Sequence, residues 1–190
     1  RTAPSDARQG PVIASVAIAR GQTDVAVSYV NNDYGKGLAD VFATAYEALG
    51  GTITVMAGHE DDKADYSADV AALSAGGSAT LVVIGYADTG GRGIVTASED
   101  TGAFTDYVFP DGMISDVTAG AVADGSWGTI ASPSTDLAAN WESVAAAGDV
   151  DGTGAYSAES YDAMALLILA SQSAGSTDSA ATQAAVLDVA

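Results

Sequence analysis

The chain has 190 residues, 48% of them hydrophobic, with 25 Asp and Glu against 6 Lys and Arg and a formal charge of −19. That much apolar material can bury a sizeable core, which excludes wholesale disorder, and so few cations exclude nucleic acid and anionic membrane surfaces as partners. With no cysteine there is no disulfide, thiolate metal site or cysteine nucleophile, and the net charge reads as solubility in a salty medium that screens self-repulsion.

The predicted elements alternate in period. A helix over 11–19 precedes a nearly continuous apolar run at 25–30, the pattern of a strand buried on both faces. Asn31, Asn32 and Asp33 follow as natural helix caps. Leu38, Val41, Phe42, Ala45 and Leu49 then fall on one helical stripe, stopped by Gly50 and Gly51. The unit repeats. Residues 52–56 read as a strand, and Tyr66, Val70 and Leu73 mark a helix that ends at Gly76 and Gly77. A third strand at 80–84 is followed by Asp88 and Thr89 as caps and a helix over 91–100. A fourth strand spans 107–109 and closes at Pro110. This alternation predicts α/β architecture, an open parallel sheet with helices on both faces.

After Gly128 the pattern changes. Residues 129–135 read as a strand or crossing segment, followed by a helix over 137–147, a Gly/Asp loop at 148–154, a very apolar helix over 158–170 and an alanine-rich helix from about 178. The expected division is 1–130 for the sheet-bearing lobe and 131–190 for helices that need a sheet from elsewhere. The apolar runs at 12–19 and 163–170 are each less than half of a bilayer span, and the chain does not open on a signal-peptide pattern.

Catalytic and cofactor signatures fail on their own requirements. Gly35-Lys36-Gly37 sits at a strand-to-helix turn, but Val30 stands where a phosphate loop needs its first glycine, and Gly37 where it needs Ser or Thr. The glycine-rich stretch 88–93 lacks dinucleotide spacing. His59, the single histidine, lies among Glu60, Asp61 and Asp62 and reads as a solvated loop residue rather than a general base. Asp149-Val150-Asp151-Gly152-Thr153-Gly154 resembles half a calcium loop, yet Glu159 is at its eleventh position and Ser160 at the twelfth, where the bidentate glutamate belongs. The expectation is no enzyme, no cofactor and no metal.

The informative residues lie at the carboxyl ends of the predicted strands, where open parallel sheets bind ligands. These are Tyr34, Tyr86 and Asp111. Two aromatic faces and one carboxylate suit a small, partly apolar, cationic group.

With Arg1-Thr2-Ala3-Pro4-Ser5-Asp6, Gln9-Gly10, Asn32-Asp33-Tyr34-Gly35-Lys36-Gly37, Asp65-Tyr66-Ser67, Ile84-Gly85-Tyr86, Asp111-Gly112, Gly128-Thr129 and Tyr161-Asp162-Ala163 in this order and spacing, the sequence resembles the periplasmic solute-binding proteins of branched-chain amino acid ABC importers. The resemblance implies two α/β lobes joined by three crossing strands and closing on a ligand. Residues 1–5 would be the first crossing, 1–130 the second lobe, and 131–190 the return into an amino-terminal lobe that lies before Arg1, so the chain is expected to be a fragment. It also implies that Tyr34 and Tyr86 pack on the ligand and that Asp111 takes its α-ammonium. The function expected is ligand capture for an ABC permease in the periplasm, the ligand being an amino acid or related amine-bearing solute. The alternatives are a ligand-sensing regulatory or receptor domain of the same fold and an enzyme on a flavodoxin-like sheet. Self-association of the fragment through 158–190 is expected as well, because its apolar helix lacks a cover.

Overall fold

In the computed structural model, which describes residues 2–115, 126–131 and 135–189, strand and helix alternate as the periodicity predicts. Residues 5–130 form one compact unit, and residues 131–190 with 1–4 form another. The first contains α1 (Asp6–Ala19), β1 (Asp24–Val30), α2 (Asp33–Ala48), β2 (Thr52–His59), α3 (Ser67–Ser74), β3 (Thr80–Ile84), α4 (Gly90–Thr101), β4 (Asp106–Phe109), a 3-10 turn at Asp111–Met113 and β5 (Trp127–Gly128). All strand pairs are parallel, in the order β2-β1-β3-β4-β5.

Why the strands read as continuous apolar runs is visible in the two cores. Val25, Val27, Val82, Ile84 and Val108 point to the face covered by α1 and α2, against Ile13, Leu38, Phe42 and Tyr46. Ala26, Leu81, Val83, Tyr107 and Phe109 point to the other, against Val70, Leu73, Ile94 and Val95 of α3 and α4. Parallel crossovers have one hand, so a connection that moves one way along the sheet puts its helix on the opposite face from one that moves back. The step from β1 to β2 carries α2, and the return from β2 to β3 carries α3.

The boundaries differ from expectation where local chemistry intervenes. Helix α1 starts at Asp6 rather than at 11, because the Ser5 hydroxyl accepts from the Ala7 amide and caps the first turn. Gly10 then lets that turn lie against α2, since a Cβ there would stand 2.9 Å from the Phe42 nitrogen. Strand β2 continues to His59 because Ala57, Gly58 and His59 pair with Ser28, Tyr29 and Val30. The two-residue β5 has no counterpart in the sequence reading. It is held by Trp127, whose Nε1 donates to Gln22 Oε1 at 3.0 Å and whose ring lies under the Arg20 guanidinium. Residues 129–131 carry no regular secondary structure, and 132–134 of that predicted segment lie outside the described residues.

The second unit contains α5 (Thr135–Ala147), α6 (Ser157–Ala174) and α7 (Ser179–Val189). Trp141 Nε1 donates to the Gly152 carbonyl at 2.8 Å and its ring tilts against Tyr161, which ties the Gly/Asp loop to α5 and α6. Met164, Leu167, Ile168 and Leu169 of α6 are each about half exposed (59%, 50%, 54% and 47%). Among the described residues, no helix is long and apolar enough to cross a membrane.

Candidate functional site

The strand order creates a place where a ligand can enter. From β1 the chain passes outward to β2, then crosses back to β3 on the other side of β1. Connections leaving the carboxyl ends of β1 and β3 therefore diverge, and a crevice opens between them. Tyr34 stands in the first turn of α2, just after β1, and Tyr86 stands two residues beyond β3. Their rings stack across the crevice at a centroid distance of 5.3 Å and an interplanar angle of 26°. Asp111 follows β4, the next strand in the sheet, and opens the 3-10 turn. All three residues are half-buried. The Asp111 Oδ1 and Tyr34 hydroxyl atoms are themselves shut off from solvent.

Glycines bring the turns together. Ala87 N donates to the Gly112 carbonyl at 3.0 Å, which binds the Tyr86 loop to the Asp111 turn. A Cβ on Gly112 would lie 2.5 Å from the Gly85 carbonyl oxygen, 3.2 Å from the Tyr34 hydroxyl and 3.4 Å from Tyr86 Cδ1. Tyr34 is presented by a cap: Asn32 Oδ1 accepts from Gly35 N at 2.9 Å, and a Cβ on Gly35 would meet the Val30 carbonyl at 2.1 Å. Gly35 thus serves a tight strand-to-helix turn, and its amide is already engaged.

The glycine-rich stretch before α4 has a packing role. Cβ atoms on Gly90, Gly91 and Gly93 would run into the Glu60 carbonyl, the Met113 sulfur and the Tyr66 ring at 2.7, 2.4 and 2.2 Å. Thr89 holds the N-cap position of α4, but the cap itself comes from a distant loop. Asp61 Oδ1 accepts from Thr89 Oγ1 at 2.7 Å and from Gly90 N at 3.2 Å. Beside this loop lies an open cleft of about 680 Å³. Its walls include Asp61, Asp88 and Arg92, and Lys63, which is ion-paired with Asp69.

His59 corrects the sequence reading. It is 1% exposed, at the end of β2, not in a solvated loop. Its Nδ1 shares a 2.8 Å hydrogen bond with Ser28 Oγ, and its ring meets Tyr66 edge-on. Burial pushes its pKa below the ordinary 6.5, against the opposing pull of Asp61, Asp69 and Glu60. In the Gly/Asp loop of the second unit, Asp151 Oδ1 accepts from Thr153 N and Thr153 Oγ1 within its own turn. Among the described residues, no three Asp, Glu, His or Cys side chains are grouped to hold a metal.

No family model and no curated protein matches the sequence. Solved structures do match it in shape. A leucine-binding protein of Thermotoga maritima superposes with a TM-score of 0.77 at 22% identity, over 98% of this chain and 55% of that one. The fold is that of the type I periplasmic binding proteins. A branched-chain amino acid binding protein of Streptococcus pneumoniae, solved with isoleucine, matches at 0.71 and 20% identity over 96% of this chain and 53% of that one. A solute-binding protein of R. palustris, solved with 4-hydroxybenzoate, matches at 0.75 and 16% identity over 97% and 54%. The chain therefore spans about half the length of these periplasmic binding proteins. The likeness to leucine- and branched-chain amino acid binding proteins read from the sequence is borne out at the level of fold.

Proposed function

We propose that the first unit is one ligand-binding lobe of a solute-binding receptor that serves an ABC importer, and that its ligand is a branched-chain or similar small amino acid. The observation that carries this reading is the stacked Tyr34–Tyr86 pair at the crevice between β1 and β3, beside the turn that bears Asp111. In this reading the tyrosine faces cover the aliphatic part of the ligand, and the Asp111 carboxylate pairs with its ammonium. The α-carboxylate and much of the side-chain pocket are left to a second lobe. The receptor works without a cofactor, performs no catalysis, resides in the periplasm and delivers its ligand to a permease.

The likeness to a leucine-binding protein and to proteins solved with isoleucine and 4-hydroxybenzoate supports a small organic solute over a nucleotide or polymer. Of these, an amino acid fits best, because a carboxylate at Asp111 repels an acid that has no amine. The test is a nuclear magnetic resonance titration of the 190-residue chain with L-leucine and, in parallel, with 4-hydroxybenzoate. Half a site should bind L-leucine weakly, with shifts confined to residues around 34, 86 and 111–112. Shifts with 4-hydroxybenzoate alone, or elsewhere in the unit, would overturn the assignment.

A further inference from the structure

We propose that His59 is a positioning residue for this rim: its buried imidazole, reaching from β2 beneath the turn after β3, sets the height at which Tyr86 meets Tyr34. The proposal deepens the binding reading and rests on it only for what the rim is for.

The imidazole is fixed on two sides. Ser28, itself 1% exposed on β1, holds Nδ1 at 2.8 Å. The Tyr66 ring stands across it at 6.3 Å and 80°, and its hydroxyl donates to the Glu60 and Asp61 carbonyls at 2.8 and 2.7 Å. The opposite edge faces Gly85. A Cβ built there would lie 3.2 Å from His59 Nε2, 3.4 Å from Cε1 and 3.3 Å from Gly91 Cα. Above Gly85 sits Gly112, and beside it Gly91 reaches the Tyr86 backbone, where a Cβ would lie 2.8 Å from its carbonyl oxygen and 3.0 Å from its nitrogen. The Gly85–Tyr86 peptide is therefore held between the imidazole, α4 and the Asp111–Gly112 turn. A side chain on any of Gly85, Gly91 or Gly112 would meet a neighbour at 3.2 Å or less.

Protonation would disturb the same contact. Glu60, Asp61 and Lys63 of the β2–α3 loop and Asp69 of α3 are the charged groups that act on His59. β1 presents Ser28 to it, and the space between its Nε2 edge and Gly91 of α4 is bordered by Gly85, just after β3. A charged ring beneath an uncharged peptide needs solvation that the close packing denies.

The test labels the tyrosines of the full chain with 3-fluorotyrosine and assigns Tyr34 and Tyr86 through Tyr34→Phe and Tyr86→Phe. His59→Ala and Gly85→Ala should each move both fluorine resonances and leave those of Tyr46 and Tyr161 in place. In the double variant, the methyl introduced at position 85 enters space vacated by the imidazole, so both resonances should return toward the parent positions. Unmoved Tyr34 and Tyr86 resonances in a folded His59→Ala chain, or effects that simply add in the double variant, would overturn the proposal.

The unsubstituted chain supplies a second readout, because His59 is its only histidine and its ring resonance is identified at sight. On acidification, the Tyr86 resonance should move with the same midpoint as His59, and that step should vanish in His59→Gln. Titration of His59 without movement of Tyr86 would overturn the proposal even if every packing variant failed to fold. No ligand is read in either measurement, so failure of the amino acid assignment would leave this result standing.

Discussion

Gly112→Ala is a single perturbation that acts on the Tyr86 loop and the Asp111 turn at once. The new Cβ would stand 2.5 Å from the Gly85 carbonyl oxygen, whereas ordinary contact begins near 3.4 Å. Either the Asp111 turn or the Tyr86 loop must therefore retreat by about 1 Å, at an overpacking cost of ~1–3 kcal/mol. That retreat also stretches the 3.0 Å hydrogen bond from Ala87 N to the Gly112 carbonyl, worth ~0.5–1.5 kcal/mol net. Together these come to about 2–4 kcal/mol, well below the stability of a typical domain, so the variant should fold. For a unit of this size that corresponds to a fall in melting temperature of roughly 8–15 °C. Gly37→Ala is the control. Gly37 lies in α2, two residues beyond Gly35, with no atom within 4 Å of a built Cβ, and should be stabilised by ~0.4–1 kcal/mol on replacement. Circular dichroism melts of both variants check the pair. A Gly112→Ala chain that melts within about 2 °C of the parent would show that the turn does not press on Gly85 as described.

Other outcomes follow from the same geometry. Asp111→Asn in a protein carrying both lobes should weaken amino acid binding toward the lower end of ~2–5 kcal/mol, and equal affinities by isothermal titration would remove its assigned role. Replacing Tyr34 or Tyr86 by alanine should lower affinity with little change in melting, whereas a large melting loss at unchanged affinity would make them structural caps. The neutral His59 imidazole contributes stability that is full above its ordinary 6.5 and is lost as pH falls below it toward the depressed folded value, because the unfolded chain takes the proton first. The stability of the parent relative to His59→Gln should therefore decline between about pH 7 and pH 5, and a constant difference would contradict this. The half-exposed Met164, Leu167, Ile168 and Leu169 should make the isolated chain associate, which light scattering would register as a mass above that of one chain.

β1, β3 and β4 were legible because they are buried on both faces and so declare themselves as apolar runs, and Asn32 marks the start of α2 through its side chain, whereas the cap at Ser5 stands well before the apolar run that announces α1. Neighbourhood was not legible. That β1 lies between β2 and β3 is a property of the assembled sheet, and only this order turns Tyr34 and Tyr86 from two strand-end aromatics into a stacked pair. His59 was misread because acidic residues follow it directly. The signal against a loop was the run from Ala57 to His59, which can pair with Ser28–Val30 once register is known. The glycines at 90, 91 and 93 have a similar history. In one dimension they are a glycine-rich stretch without dinucleotide spacing and without a visible reason; the reason is the approach of Tyr66, Met113 and the Glu60 carbonyl from elsewhere in the chain.

The position of β2 at one end of the sheet has a colloidal consequence. Among the described residues it has a neighbour on one side only, so a row of amide and carbonyl groups faces outward. From Thr52 to Gly58 the strand carries no charge, no proline and no lysine, the devices that usually blunt such an edge. The field of a chain at −19 opposes pairing of two copies there, over a Debye length of ~10 Å at 0.1 M salt and only ~3 Å at 1 M. Repulsion of this kind belongs to the whole surface rather than to one strand, and ionic strength sets how far it reaches.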